Sequence, residues 1–166
     1  MLALMQVFTL LLVAIAVSCA VAHALELPGK LRLSEETYRA VQPIYYPGFT
    51  IAGVVGEFGG LIATVVLALV TPRGTLAIWL TVWALIALAL MQVVFWLFTQ
   101  PVNQFWVRDV KLHGTADAFF RLRFEQRRPR SMDWRSLRDQ WEYSHVARAV
   151  LSLAALILLA SAIAAT

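Results

Sequence analysis

The sequence predicts an all-α integral membrane protein: an antiparallel four-helix transmembrane bundle with an amphipathic interfacial extension before helix four. Three observations predict it. Of the 166 residues, 60% are hydrophobic, against roughly 45–50% in soluble domains, and the mean hydropathy is +0.71. Four apolar runs, 2–25, 49–71, 75–99 and 146–165, reach the length of about 20 residues that a helix needs to cross a bilayer. The basic residues gather on alternate connections between those runs. Together the runs fill more than half of the chain, so 1–166 reads as a single membrane domain with no room for a second core.

The first run ends in "AVAHA", which offers a small-residue cleavage site of the signal-peptide kind. It lacks a Lys or Arg before the apolar stretch, and the stretch is longer than a secretory h-region, so it is expected to be retained as a membrane span. Cys19, the only cysteine, lies inside it. An internal disulfide and a cysteine-based metal site are therefore excluded.

With four spans, the termini and the short "TPRG" turn share one side, and connections 26–48 and 100–144 share the other. Arg73 alone, of 14 Lys and Arg residues, lies on the first side. Lys30, Arg32 and Arg39 lie in 26–48, and nine more lie in 100–144 between Arg108 and Arg138. Positive charge stays inside. The expectation is a multi-pass protein of the cell (inner) membrane with both connections in the cytoplasm and both termini outside. The net charge of +4 then calls for no nucleic-acid partner. The run "FRLRFEQRRPRSMDWR" beside a bilayer is expected to contact anionic headgroups.

The polar side chains collect in the half of the bundle nearest these two connections. Helix one reaches that end with His23 and Glu26, and helix three leaves it through Gln92, Gln100 and Asn103. Helix four enters it with Glu142, His145 and Arg148, spaced three apart. Glu57 lies about nine residues into helix two, roughly 13 Å deep at 1.5 Å per residue. A carboxylate at that depth costs about 2.5–3.5 kcal/mol even on the translocon scale, so it needs a partner, a proton or a watery cavity. Arg148 is the expected partner, either as a structural clamp between helices two and four or as part of a functional pocket. In "GFTIAGVVGEFGG", Gly48, Ala52, Gly56 and Gly60 form a ridge of small residues that lets a neighbouring backbone approach.

Ser131 is the expected N-cap of a helix running from about Met132 to the C-terminus, with Trp134 and Trp141 anchoring its first part at the interface. In connection 26–48, Ser34 caps a short helix whose first turn carries Glu35 and Glu36 and which Pro43 ends. "IYYPGF" is an aromatic interfacial segment that either roofs the site or belongs to the aromatic belt.

Two spacings, His23 with Glu26 and Glu142 with His145, touch on the E-x-x-H elements of di-iron bundles. Only one has the right order, so no metal site is expected, and neither a haem nor a quinone is required by the histidines. The cofactor stays open. In a metal-free site His145 or His23 serves as a general base, with Glu26, Glu57 or Arg148 setting its pKa. His113, in the basic connection, is expected to be solvated.

"HALELPGK" after helix one, "PVN" after helix three and "WEYSHVAR" opening helix four resemble the bacterial branch of a four-span membrane family that includes the fungal anthrone oxygenases. The resemblance implies that His23, Asn103, Trp141, His145 and Arg148 are family positions. It also implies an activity like that of the fungal members, which oxidise a phenolic anthrone with dioxygen and no evident bound cofactor. Two functions follow as expectations. The first is an oxidoreductase acting on a small apolar or aromatic molecule, with His145, His23, Glu57 and Arg148 as catalytic groups and Glu26, Gln92, Asn103 and Trp141 as substrate-binding groups. The second is a non-enzymatic accessory subunit packing against a larger membrane protein partner. A cavity reaching His23, Glu57 and His145 favours the first; a packed interior favours the second.

Overall fold

A computed structural model describes residues 1–106 and 133–166. It is all-α, without a strand among the described residues. Four helices are long and apolar enough to cross a membrane. They are α1 (Leu2–Lys30), α3 (Gly48–Val70), α4 (Leu76–Asn103) and α5 (Trp134–Ala164), with the short α2 (Glu35–Val41) between the first two. The basic run up to Arg130, His113 and the expected cap Ser131 lie outside the described residues.

Two helices overrun their expected spans, α1 past Leu25 and α4 past Thr99, and both overruns build the site; the continuous helix expected at the end of the chain is present. α1 continues past Leu25 through Pro28 to Lys30. Proline lacks an amide donor, and at a helix end facing water the lost bond is cheap. The extra turn sets Lys30 one turn above Glu26. α5 begins at Trp134, as the interfacial extension and the fourth span form one 31-residue helix. At 1.5 Å per residue it is about 46 Å long, more than the ~30 Å that a hydrocarbon core requires.

α2 forms as its sequence dictates: Ser34 Oγ accepts the Thr37 amide at 3.3 Å, and Glu35 and Glu36 occupy the first turn. A 3₁₀ turn, Gln42–Tyr45, carries the chain back toward the bundle. At the opposite end Gly74 takes φ 79°, a left-handed geometry that glycine adopts freely, between α3 and the Thr75-capped start of α4.

α5 packs against both α1 and α4, and α3 packs against α1. The core is built from small and aliphatic side chains, among them Val13, Ala16, Ala84, Leu88, Met91, Ala155 and Leu159. Without a hydrophobic drive between helices in lipid, close backbone approach supplies the attraction. The glycine ridge contributes over only part of its length. A Cβ on Gly56 would lie 2.6 Å from the Ala16 amide nitrogen, and one on Gly60 3.1 Å from Val13. Gly48 faces open space, so the first position of the expected ridge packs against nothing.

Both α3 and α4 contain a π-helical turn, Val54–Phe58 and Phe95–Thr99. Each inserts a residue into the helical repeat, and such bulges are common at functional sites. Beyond them the helices part. Gly59–Val70 of α3 packs on α4, whereas Gly48–Phe58 packs on α1 and barely meets α4.

Candidate functional site

The divergence of α3 from α4 leaves a cavity of about 80 Å³ at the end of the bundle where α1 meets α2. Its wall includes His23 from α1, Glu57 from α3, Phe95 and Asn103 from α4, and Trp141, His145 and Arg148 from α5. Residues 141, 145 and 148 share one face because successive steps of four and three return to the same side of a helix. The roof is Tyr45, Tyr46 and Phe49. Tyr45 is buried, so the aromatic segment covers the site and is not merely a belt.

The floor is an ion pair. Arg148 Nη2 pairs with Glu57 Oε1, and Gln92 donates to Glu57 Oε2 at 3.4 Å. The guanidinium also lies 5.0 Å over the Phe95 ring and places Nη1 3.1 Å from His145 Nδ1. The expected partner of Glu57 is thus in place, and Glu57 faces the bundle interior.

A second charged cluster lies above the first, and its centre is Lys30, which the sequence places in connection 26–48. Lys30 is 5% exposed. Its Nζ lies 2.9 Å from Glu26, 3.5 Å from Glu142 and 3.4 Å from His23 Nδ1. It also sits over the rings of Tyr45 and Trp141, at 4.7 and 4.9 Å. Tyr38 donates to Glu142 at 2.8 Å, and Tyr45 donates to Glu26 at 2.6 Å. Burial holds the Tyr38 phenol well above its ordinary pKa, and the Glu142 carboxylate it faces adds to this. Tyr45 is raised by burial and by its bond to Glu26, and Tyr46 by burial.

Two expectations are corrected here. Glu142 does not serve His145: one residue round from Trp141, it turns to Tyr38 and Lys30 and is fully buried there. Trp141 is not an interfacial anchor. It is 1% exposed and donates its indole N–H to Asn103 Oδ1 at 2.5 Å. The periodicity that put both on the helix was right; what it could not give was which neighbours each side chain meets.

The histidines stand face to face. The rings of His23 and His145 are 4.1 Å apart and tilted by 33°, and Trp141 meets both edge-on. His145 Nε2 is buried without a hydrogen-bond partner among the described residues. A cation faces Nδ1 of each ring, with the Glu26 carboxylate 3.9 Å from that of His23; a cation can only donate, so this arrangement favours an accepting Nδ1 and a protonated Nε2.

Of the expected site residues, His23, Glu57, Asn103, Trp141, His145 and Arg148 line one cavity. Gln92 supports Glu57 from behind the wall. Glu26 is 43% exposed and stands outside the wall, bonded to Tyr45 and Lys30. Lys30 and Tyr38 were missed. The spacing of Glu26 and Lys30 was a usable signal, but Pro28 between them reads as a helix stop. Among the described residues, no three of His, Cys, Asp and Glu gather as a metal site would require. No family model, no curated protein and no solved structure matches the chain.

Proposed function

We propose that this chain is a membrane oxidoreductase acting on a small, apolar, aromatic molecule that binds in the cavity with His145 against it. The carrying observation is the wall itself: aromatic side chains from all sides enclose a patch of buried polar groups, one of which, His145 Nε2, has no partner. A buried polar group left unpaired costs about 1–3 kcal/mol, and a ligand oxygen would recover it. Apolar walls with a few placed polar groups are the usual build of a small-molecule site.

Tyr45, Tyr46, Phe49, Phe58 and Phe95 would hold a planar ring. Asn103 fixes Trp141, and the Arg148–Glu57–Gln92 floor fixes the depth of the substrate. Val54 lines the cavity and is 46% exposed on the outer surface of α3. The gap between the inner parts of α3 and α4 therefore offers a route from the lipid. The resemblance to the family with anthrone oxygenases supports dioxygen as the oxidant. A ring CH₂ would become a carbonyl, with one oxygen atom taken up by carbon and the other leaving as water. The charge bias supports a cell-membrane protein with the cavity in the cytoplasmic half, both termini outside, and the basic connection against anionic headgroups.

The accessory-subunit reading draws on Trp79 and Trp83, one turn apart and exposed on α4, as a face for a membrane partner. A filled interior favours it, and the cavity speaks for a ligand. The deciding experiment is purification in mild detergent, mass spectrometry for bound small molecules and partner chains, and dioxygen uptake with an anthrone-type substrate. Uptake that His145→Gln abolishes and His113→Gln preserves supports the enzyme. A stoichiometric partner chain with no uptake supports the subunit.

A further inference from the structure

We infer that Lys30 and Arg148 are positioning residues that turn His23 and His145 into a pair of neutral N–H donors for an anionic oxygen, so the ligand is a phenolate or enolate rather than a plain hydrocarbon. This rests on the cavity being a ligand site, as proposed above. The two histidines are built alike. Lys30 Nζ is 3.4 Å from His23 Nδ1, and Arg148 Nη1 is 3.1 Å from His145 Nδ1. All four residues are at least nine-tenths buried. Neither Lys nor Arg can accept a hydrogen bond, and the Glu26 oxygen 3.9 Å from His23 Nδ1 is taken up by Lys30 at 2.9 Å, so each Nδ1 accepts and each Nε2 carries a proton.

The Nε2 atoms are the ring nitrogens left for a ligand. His145 Nε2 is buried and unpartnered among the described residues, and on His23 it is Nδ1, not Nε2, that Lys30 occupies. Both rings line the same cavity. Two donors with cations behind them stabilise negative charge in front of them, as an oxyanion hole does. The cations have carboxylate partners: Glu57 answers Arg148, and Glu26 with Glu142 answers Lys30. The anion-binding character is thus confined to the histidine edge. A substrate held as its oxyanion has lost its proton before it meets an oxidant, which makes it electron-rich and easier to oxidise. The released proton needs an acceptor, which solvent at the mouth of the cavity supplies.

Two measurements test this. In a His113→Gln protein only these two imidazoles remain, and their ¹⁵N spectra in micelles report the tautomers directly. The expected result is an unprotonated Nδ1 and a protonated Nε2 on both rings, kept in Lys30→Arg. A ring protonated on Nδ1, or on both nitrogens, overturns the inference. The second measurement is binding of 4-nitrophenol, above its own pKa, against its methyl ether. The phenolate should bind about 10-fold or more tightly, the scale of one charge-assisted hydrogen bond, and His145→Met should remove the preference. Equal affinity for phenolate and ether overturns the oxyanion inference and leaves the ligand site standing. Binding of neither, with an intact fold, removes the ligand site and this inference with it.

Discussion

Glu57 shows what a single residue determines in a membrane. Its depth demanded a partner, and Arg148 supplies one from the opposite helix, with Gln92 completing the shell. Breaking a buried pair by removing one charge costs about 3–5 kcal/mol. Glu57→Gln should fall at the lower end of that range, because the amide still accepts from Arg148. Thermal unfolding in detergent checks this; an unchanged midpoint would mean that the pair contributes no net stability. The tyrosines give a second test at this scale. Tyr38, Tyr45 and Tyr46 have pKa values raised in the folded state. Their contribution to stability is therefore complete below the ordinary tyrosine value of about 10 and is lost as pH rises beyond it. An ultraviolet titration of the native protein should leave at least three of its four tyrosines protonated at about pH 11, and those three should ionise only on unfolding. Early ionisation of two or more would show that the roof is open to water.

The helix is the scale at which periodicity succeeds and contact has to be seen. The glycine ridge of α3 was legible, but only the structure separates its working part from its idle part. Gly56 meets the backbone of α1, and Gly48 meets nothing. Gly56→Ala should push α1 and α3 apart and destabilise by about 1–3 kcal/mol, as overpacking does. Gly48→Ala should be neutral or slightly stabilising, because it restricts the unfolded chain without a clash. Comparing unfolding midpoints of the two variants checks the assignment, and equal effects would remove the argument for close approach. The π turns lie at this scale too. Nothing in "VVGEF" or "FWLFT" announces an inserted residue, since the insertion answers packing demands from other helices.

For the whole molecule, the arrangement of charge predicts topology. In a Cys19→Ser background, Thr166→Cys should be labelled by an impermeant thiol reagent added outside intact cells, and Ser131→Cys should be protected until the membrane is opened. Labelling of Ser131→Cys from outside would reverse the bundle and place the cavity in the outer leaflet. The fold was legible because its cause is local to each segment: twenty apolar residues with bonded backbones form a spanning helix whatever their neighbours. The polar part of the wall was legible as well, because a charged or amide group inside a span is rare enough to stand out.

By itself the sequence determined four spans, an antiparallel course, the capped helix after Ser34, the polar end of the bundle, and the need for Glu57 to find a partner. Only the tertiary structure decided that Lys30 leaves the surface, that Glu142 serves Tyr38 and Lys30 rather than His145, and that the two imidazoles face one cavity with cations at their backs. The physical reason is range. Helix formation and membrane insertion depend on residues within a few turns, whereas a hydrogen-bond partner depends on which helices meet and at what height. Pro28, a stop signal in sequence, lies inside α1, and that extra turn sets the height that brings Lys30 to His23.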